Sequence, residues 1–322
     1  MRAVLALSFC VPLAFPATAL AQLRYPAAKP IRLVVPFPAG GTADLAARAF
    51  ADPLARSLGQ TILVENRGGA DGAIASEAVA KALPDGYTLL FGTNTGLAMV
   101  PALKKPAPYD ALRDFTPVSL VGLFGFFLFT HPSIPASSVA DLIAYIKARP
   151  GAINYGSANS TGMLAAHLFA QSAGLAMVHV PYKGEAQAMP DLVAGHIQLI
   201  FNTPGSVLGF VKEGKIRVLA TLLHERSPLL PDTPTAAEAG LPPSPVVPYA
   251  ALVGPAGMPK AIVDRLAGEA AGVLARAEVR AALARYAFEA RSSPPGELAT
   301  FMQEQLDLWR TAGQELRLAD QP

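Results

Sequence analysis

Short β-rich apolar runs predict strands at 31–35, 61–65, 87–91, 153–155, 177–180, 197–201 and 217–221. Between them, stretches with helical spacing of apolar residues predict helices over 42–58, 73–82, 139–148, 162–172 and 186–194. Strands that alternate with helices of this length form βαβ units, whose crossovers favour parallel neighbours and cover both faces of a sheet. The expected fold class is α/β, with mainly parallel sheets flanked by helices. After Met258 the pattern turns almost wholly helical, at 260–276, 278–286 and 296–312.

Two segments break the rhythm. The run 118–130 is too long and too apolar for one ordinary strand, so it is expected to pass from one sheet into another. The proline-rich stretch 241–259 surrounds the apolar run 249–253, a strand that could bring the chain back. A chain that leaves a domain and returns makes two crossing strands, which is hinge geometry and places a ligand cleft between lobes. The expected division is residues 22–124 with 250–322 as lobe 1, and 125–249 as lobe 2.

The amino-terminal 21 residues stand apart. Met1-Arg2 is a short positive region, and the stretch from Ala3 to Ala21 carries no charge, is interrupted by Pro12 and Pro16, and ends in Ala19-Leu20-Ala21. That is the form of a cleavable secretory signal, with cleavage before Gln22, rather than of an anchor. Phe9 is too bulky beside Cys10 for a lipidation signal. The mature chain would then have 322 − 21 = 301 residues and no cysteine, since Cys10 is the only one. A periplasmic protein without disulfides is held by its core alone, which a chain of this length can supply.

Composition narrows the chemistry. Lys and Arg total 26 against 24 Asp and Glu, a net charge of +2 with no basic block, so capture of nucleic acid by bulk electrostatics is not expected. The five histidines (His131, His167, His179, His196 and His224) fall at no metal-ligand spacing, and no thiolate remains after cleavage. The nucleophile elbow G-x-S-x-G is absent, and the glycine-rich loop 66–72 lacks the residues of a phosphate loop. No cofactor and no catalytic constellation is expected, and a binding role is favoured.

Two Gly/Ser/Thr-rich loops lie between a strand and a helix: Phe37-Pro38-Ala39-Gly40-Gly41-Thr42 and Gly156-Ser157-Ala158-Asn159-Ser160-Thr161-Gly162. Glycine lets backbone approach a ligand, and the first turn of a helix presents unpaired N–H groups at a positive dipole end. One such loop per lobe would hold an anion without arginine. Asp44, in the first turn of the helix at 42–58, reads as a structural carboxylate that stabilises that helix start.

The chain closely resembles the Bug (TctC-like) family, the extracytoplasmic solute receptors of tripartite tricarboxylate transporters. The matching segments are Val35-Pro36-Phe37-Pro38-Ala39-Gly40-Gly41-Thr42-Ala43-Asp44, Val64-Glu65-Asn66-Arg67, Pro84-Asp85-Gly86-Tyr87-Thr88-Leu89-Leu90 and Asp114-Phe115-Thr116-Pro117-Val118-Ser119-Leu120. They continue through Val178-His179-Val180-Pro181-Tyr182-Lys183-Gly184, Pro231-Asp232-Thr233-Pro234-Thr235, Glu238-Ala239-Gly240-Leu241 and Gly254-Pro255-Ala256-Gly257. The resemblance implies a two-lobed periplasmic-binding-protein fold of the Venus-flytrap type II. It implies a small mono- or dicarboxylate ligand, held with ordered waters by loops of both lobes. The expected ligand-binding residues are Phe37, Ala39, Gly40, Gly41 and Thr42, then Asn94, then Ser157, Asn159, Ser160 and Thr161, with Tyr182 and Asn202. The implied partners are the membrane subunits of such a transporter or a sensor kinase, with the receptor itself monomeric.

Three positions depart from the family pattern. The second loop is about two residues short, with Met163 where a histidine often sits. Asn202 replaces the usual aspartate, so a ligand without an α-amino group is expected. Pro248-Tyr249 stands where a Trp-aromatic pair is common.

Overall fold

The computed structural model describes residues 25–315 apart from 205–206, 224 and 242–247, so the expected signal segment, His224 and part of the proline-rich return lie outside the described residues. Alternation along the strands decides the layering. In β1 (Ile31–Val35), Ile31, Leu33 and Val35 enter one apolar cluster and Val34 enters another on the opposite face. In β5 (Phe127–Thr130), Leu128 points one way and Phe127 and Phe129 the other. A strand covered on both faces has few polar positions to spare, which is why these segments read as largely apolar runs, with Arg32 the exposed exception in β1.

One sheet has six strands in the order β11-β4-β10-β3-β1-β2. Its further members are β2 (Ile62–Asn66), β3 (Thr88–Thr93), β4 (Phe115–Phe124), β10 (Tyr249–Pro255) and β11 (Phe288–Ala290). On one face lie α1 (Thr42–Leu58), α8 (Lys260–Leu274) and α9 (Ala277–Ala284). The other face carries α2 (Ala73–Ala80), a π-helical turn Thr95–Met99 that continues as α3 (Val100–Leu103), and α10 (Pro295–Glu315). The second sheet, in the order β7-β6-β8-β5-β9, adds β6 (Asn154–Ser157), β7 (Val178–Pro181), β8 (Leu199–Asn202) and β9 (Arg217–Thr221). Here α4 (Val139–Lys147) and α5 (Ser160–Ala173) cover one face, and α6 (Glu185–Ala194) and α7 (Leu208–Lys212) the other.

The two-lobed α/β fold stands, but both sheets are mixed rather than mainly parallel. In the first, β1 runs parallel to β2 and β3, whereas β10 is antiparallel to β3 and β4, and β11 to β4. In the second, β6 runs parallel to β7 and β8, whereas β5 is antiparallel to β8 and β9. The reversed strands β10 and β5 are those by which the chain enters each sheet from the other lobe. An entering strand starts at the hinge, so Ala250 pairs with Thr93 at the end of β3, and Phe127 with Asn202 at the end of β8. The carboxyl ends of β3 and β8 therefore abut the hinge.

The run 118–130 does cross between sheets, breaking at Gly125-Phe126. There Gly125 N–H donates to Ala287 O at 2.6 Å, and Phe126 O accepts from Leu222 N–H at 2.7 Å. Short elements escaped the pattern: the π turn, α3, α7 and β11, the last lying inside the tail expected to be almost wholly helical.

Gly162 sets how closely α5 approaches β8. A Cβ at this position would lie 2.5 Å from the Phe201 carbonyl oxygen. Alanine for glycine inside a helix ordinarily stabilises by up to about 1 kcal/mol. Gly162→Ala is expected instead to lower unfolding free energy by about 1–3 kcal/mol, through overpacking. Urea titration of the two proteins distinguishes these signs.

Candidate functional site

At the hinge edge the loops following β1, β3, β6 and β8 converge on one cleft, enclosing about 530 Å³ of space that is open to solvent. The position accords with the general siting of ligands beyond the carboxyl ends of strands in α/β sheets.

The first loop is shaped by Asp44. Gly40 takes φ +86°, a left-handed conformation open to glycine, and its N–H donates to Asp44 Oδ2 at 2.9 Å. Asp44 Oδ1 accepts from Arg48 Nε at 2.9 Å and from Asn66 Nδ2 at 3.0 Å, and Asn66 Nδ2 also donates to Phe37 O. The carboxylate is buried and acts structurally, as its place in the first turn predicts. Burial alone would raise its pKa, but hydrogen bonds from Arg48, Gly40 and Asn66 hold it below the ordinary carboxylate value.

The second loop is held differently. Asn159 caps α5, its Oδ1 accepting from Gly162 N–H at 2.9 Å. Ser157 Oγ pairs with His179 Nε2 at 2.7 Å, and His179 stacks on Tyr155; burial holds that imidazole below its usual pKa. Neither Ser157 nor His179 lines the cleft, so this Ser–His pair is not presented to a ligand there.

Of the residues expected from sequence, Phe37, Gly41, Thr42, Asn94, Asn159, Thr161 and Asn202 line the cleft together. Ala39, Gly40, Ser157, Ser160 and Tyr182 do not. Tyr182 instead donates to Asp191 Oδ2 at 2.6 Å, and its hydroxyl is pushed up to about 12 by burial and that bond. The backbone N–H of Lys183 donates to Gln187. Tyr249 is wholly buried against Phe301, and its neighbour Pro248 is the one that reaches the cleft.

Asn202 is 1% exposed, and neither its Oδ1 nor its Nδ2 has a partner among the described residues. Leaving a buried amide unpaired costs on the order of 1–3 kcal/mol, which makes this side chain the clearest mark of a ligand position. Sequence reasoning missed the apolar walls Phe124 and Phe126, and it missed Glu185. Glu185 follows Gly184 at the start of α6, so strand–glycine–helix context, already used for the other two loops, was a signal that could have found it.

The two lobes are tied by hydrogen bonds across the cleft. Glu185 Oε2 accepts from Thr42 N at 3.0 Å and Thr42 Oγ1 at 2.8 Å, and within its own lobe from Thr203 Oγ1 at 2.9 Å. Reciprocally, Asp71 accepts from Ser160 N at 3.0 Å and Ser160 Oγ at 2.7 Å. Asn94 Nδ2 donates to Thr161 Oγ1 at 2.7 Å. Asp71 sits in the glycine-rich loop read from sequence as a plain connection, at φ 56°, and nothing in its local sequence announced a partner in the other lobe. The helix starts expected to offer free N–H groups are thus met by the chain's own carboxylates.

Comparison with known proteins agrees with this geometry. Residues 46–318 match the family model described as tripartite tricarboxylate transporter family receptor. The chain is 40% identical to Protein BugT of Bordetella pertussis (strain Tohama I) over 247 residues, covering 74% of each. Among solved structures, R. palustris Rpa4515 with adipate is 34% identical with a TM-score of 0.85, over 89% of this chain and 97% of that one. MatC (Rpa3494) from Rhodopseudomonas palustris with bound malate is 29% identical with a TM-score of 0.81, over 89% and 99%.

Two variants test how the cleft is built. A carboxyl whose folded pKa is depressed adds stability above its unfolded value, about 3.9, and loses it as the pH falls through the folded value. Asp44→Asn is expected to cost about 1–3 kcal/mol at pH 7, the gap to wild type closing as the pH falls below about 4; urea unfolding at neutral and acid pH measures both. Asp71→Ala removes the reciprocal clasp and is expected to shift the lobes apart, seen as a larger radius of gyration by small-angle scattering. An unchanged radius would count against the clasp.

Proposed function

The chain belongs to the tripartite tricarboxylate transporter receptor family of solute-binding proteins, and we propose that it captures a small carboxylate between its lobes, outside the cytoplasm, for uptake. The observation that carries this reading is Asn202, buried at the meeting of both lobes with its amide unpaired. A ligand oxygen accepting from Nδ2 there would satisfy a group the fold leaves unmet. Asn159 and Thr161 line the same cleft, and Phe37, Phe124 and Phe126 supply an apolar wall for the ligand's body.

The neighbours with adipate and malate support the carboxylate class. We take residues 22–124 with 250–322, and 125–249, as the lobes that close on the ligand. Export is by cleavage of the leader after Ala21; among the described residues, no helix is long and apolar enough to cross a membrane. Delivery then requires membrane subunits that recognise the closed form. The ligand is expected to present no α-amino group to Asn202, whose neutral amide offers no charge to pair an ammonium.

Thermal unfolding of the refolded mature protein against a carboxylate panel tests this. At a hundredfold excess over Kd, a true ligand adds about 2.7 kcal/mol, expected to raise Tm by several degrees, on the order of 2 °C per kcal/mol. The shift is expected for aliphatic or aromatic carboxylates and lost in Asn202→Leu. Absence of any shift across the panel would remove the carboxylate reading, and tight binding of aspartate or glutamate would remove the claim about the amino group.

A further inference from the structure

We propose that Glu185 is a resident carboxylate that fills one of the cleft's anion seats from within the chain, so that the ligand brings a single carboxylate rather than two. This rests on the carboxylate-receptor reading and narrows its substrate class.

Glu185 is buried, at 8% exposure, and lines the cleft from the start of α6. Its Oε2 does not turn back to cap its own helix but reaches the start of α1, accepting from both Thr42 N and Thr42 Oγ1. Helix α1 has Gly41 as its N-cap residue and no side-chain cap of its own, so Glu185 supplies that function from the other lobe. Gly41 lies against the acid, since a Cβ there would meet Glu185 Cβ at 3.7 Å, an ordinary van der Waals contact. The seat that a helix start offers to an external anion is therefore taken.

What remains is a different environment. Among the described residues, Glu185 is the one ionisable side chain lining the cleft; no lysine, arginine or histidine joins it. The start of α5 is also engaged, Ser160 N–H by Asp71 and Gly162 N–H by Asn159. Among the cleft-lining side chains, Asn202 is buried with no partner among the described residues, in a cleft it shares with Thr161, Phe37, Phe124 and Phe126. One amide suits one carboxylate head, and the aromatic wall suits an apolar body. A second ligand carboxylate would have to displace Glu185 or crowd beside it, and like charges close together in a desolvated site oppose one another.

Calorimetric titration with matched probes tests this: hexanoate against adipate, and benzoate against terephthalate, on refolded wild type, Glu185→Gln and Glu185→Ala. Wild type is expected to bind the monoacid of a pair at least about tenfold more tightly than the diacid, a difference of about 1.4 kcal/mol. Glu185→Ala, which frees Thr42 and Thr203, is expected to tighten diacid binding about tenfold or more and so erase or reverse the preference. Glu185→Gln keeps the shape without the charge, and is expected to move the ratio the same way if the alanine variant does not fold. Diacid preference in wild type, a ratio unchanged in both variants, or binding of neither pair would each overturn the inference. The thermal panel separates the two failures: shifts with other carboxylates leave the receptor reading standing, and no shifts remove both.

Discussion

A chain that passes from one sheet to another and later returns must enter each sheet at the hinge. In this protein that constraint reverses one strand in each lobe, β5 in the second and β10 in the first, against neighbours whose carboxyl ends lie at the same edge. The loops that follow β1, β3, β6 and β8 are thereby turned toward one another. Much of the cleft's polar lining descends from this direction of entry, because these strand ends and loops carry Thr42, Asn94, Asn159, Thr161 and Asn202. Apolar side chains cannot perform that service, since the sheets bury them on both faces and leave only strand ends free to present polar groups.

Bringing helix starts together inside a cleft creates a second constraint. The first N–H groups of a helix have no partner within it, and burying them unmet is costly. The protein meets this with acids sent across the cleft: Glu185 from the second lobe to the start of α1, and Asp71 from the first lobe to the start of α5. Charge-assisted bonds of this kind are stronger than neutral ones, and their reciprocity ties each lobe to the other. The same bonds leave Asn202 as the conspicuous unpaired group, so cleft closure and ligand preference rest on one set of side chains.

Much of this was legible from the chain alone. The structural role of Asp44 is legible because it depends on near neighbours: Gly40 and Arg48 are each four residues from Asp44. The crossing run 118–130 was legible because no ordinary single strand is so long and so apolar. Ser157, Ser160 and Tyr182 were assigned to the ligand by their loops, yet each found a partner distant in sequence or in the next turn: His179, Asp71 and Asp191. A hydroxyl's partner depends on which chain segment lies opposite, and loop composition carries no record of that.

The linear pattern determined the elements, the two-sheet α/β class and the position of the glycine-bearing loops, since these follow from hydrophobic period, turn chemistry and the local conformational freedom of glycine. Tertiary structure alone decided the strand directions, because hydrophobic period is the same for a strand read either way. It alone decided which acids meet which helix starts, because Glu185 and Thr42 lie 143 residues apart and become neighbours only when the lobes face each other.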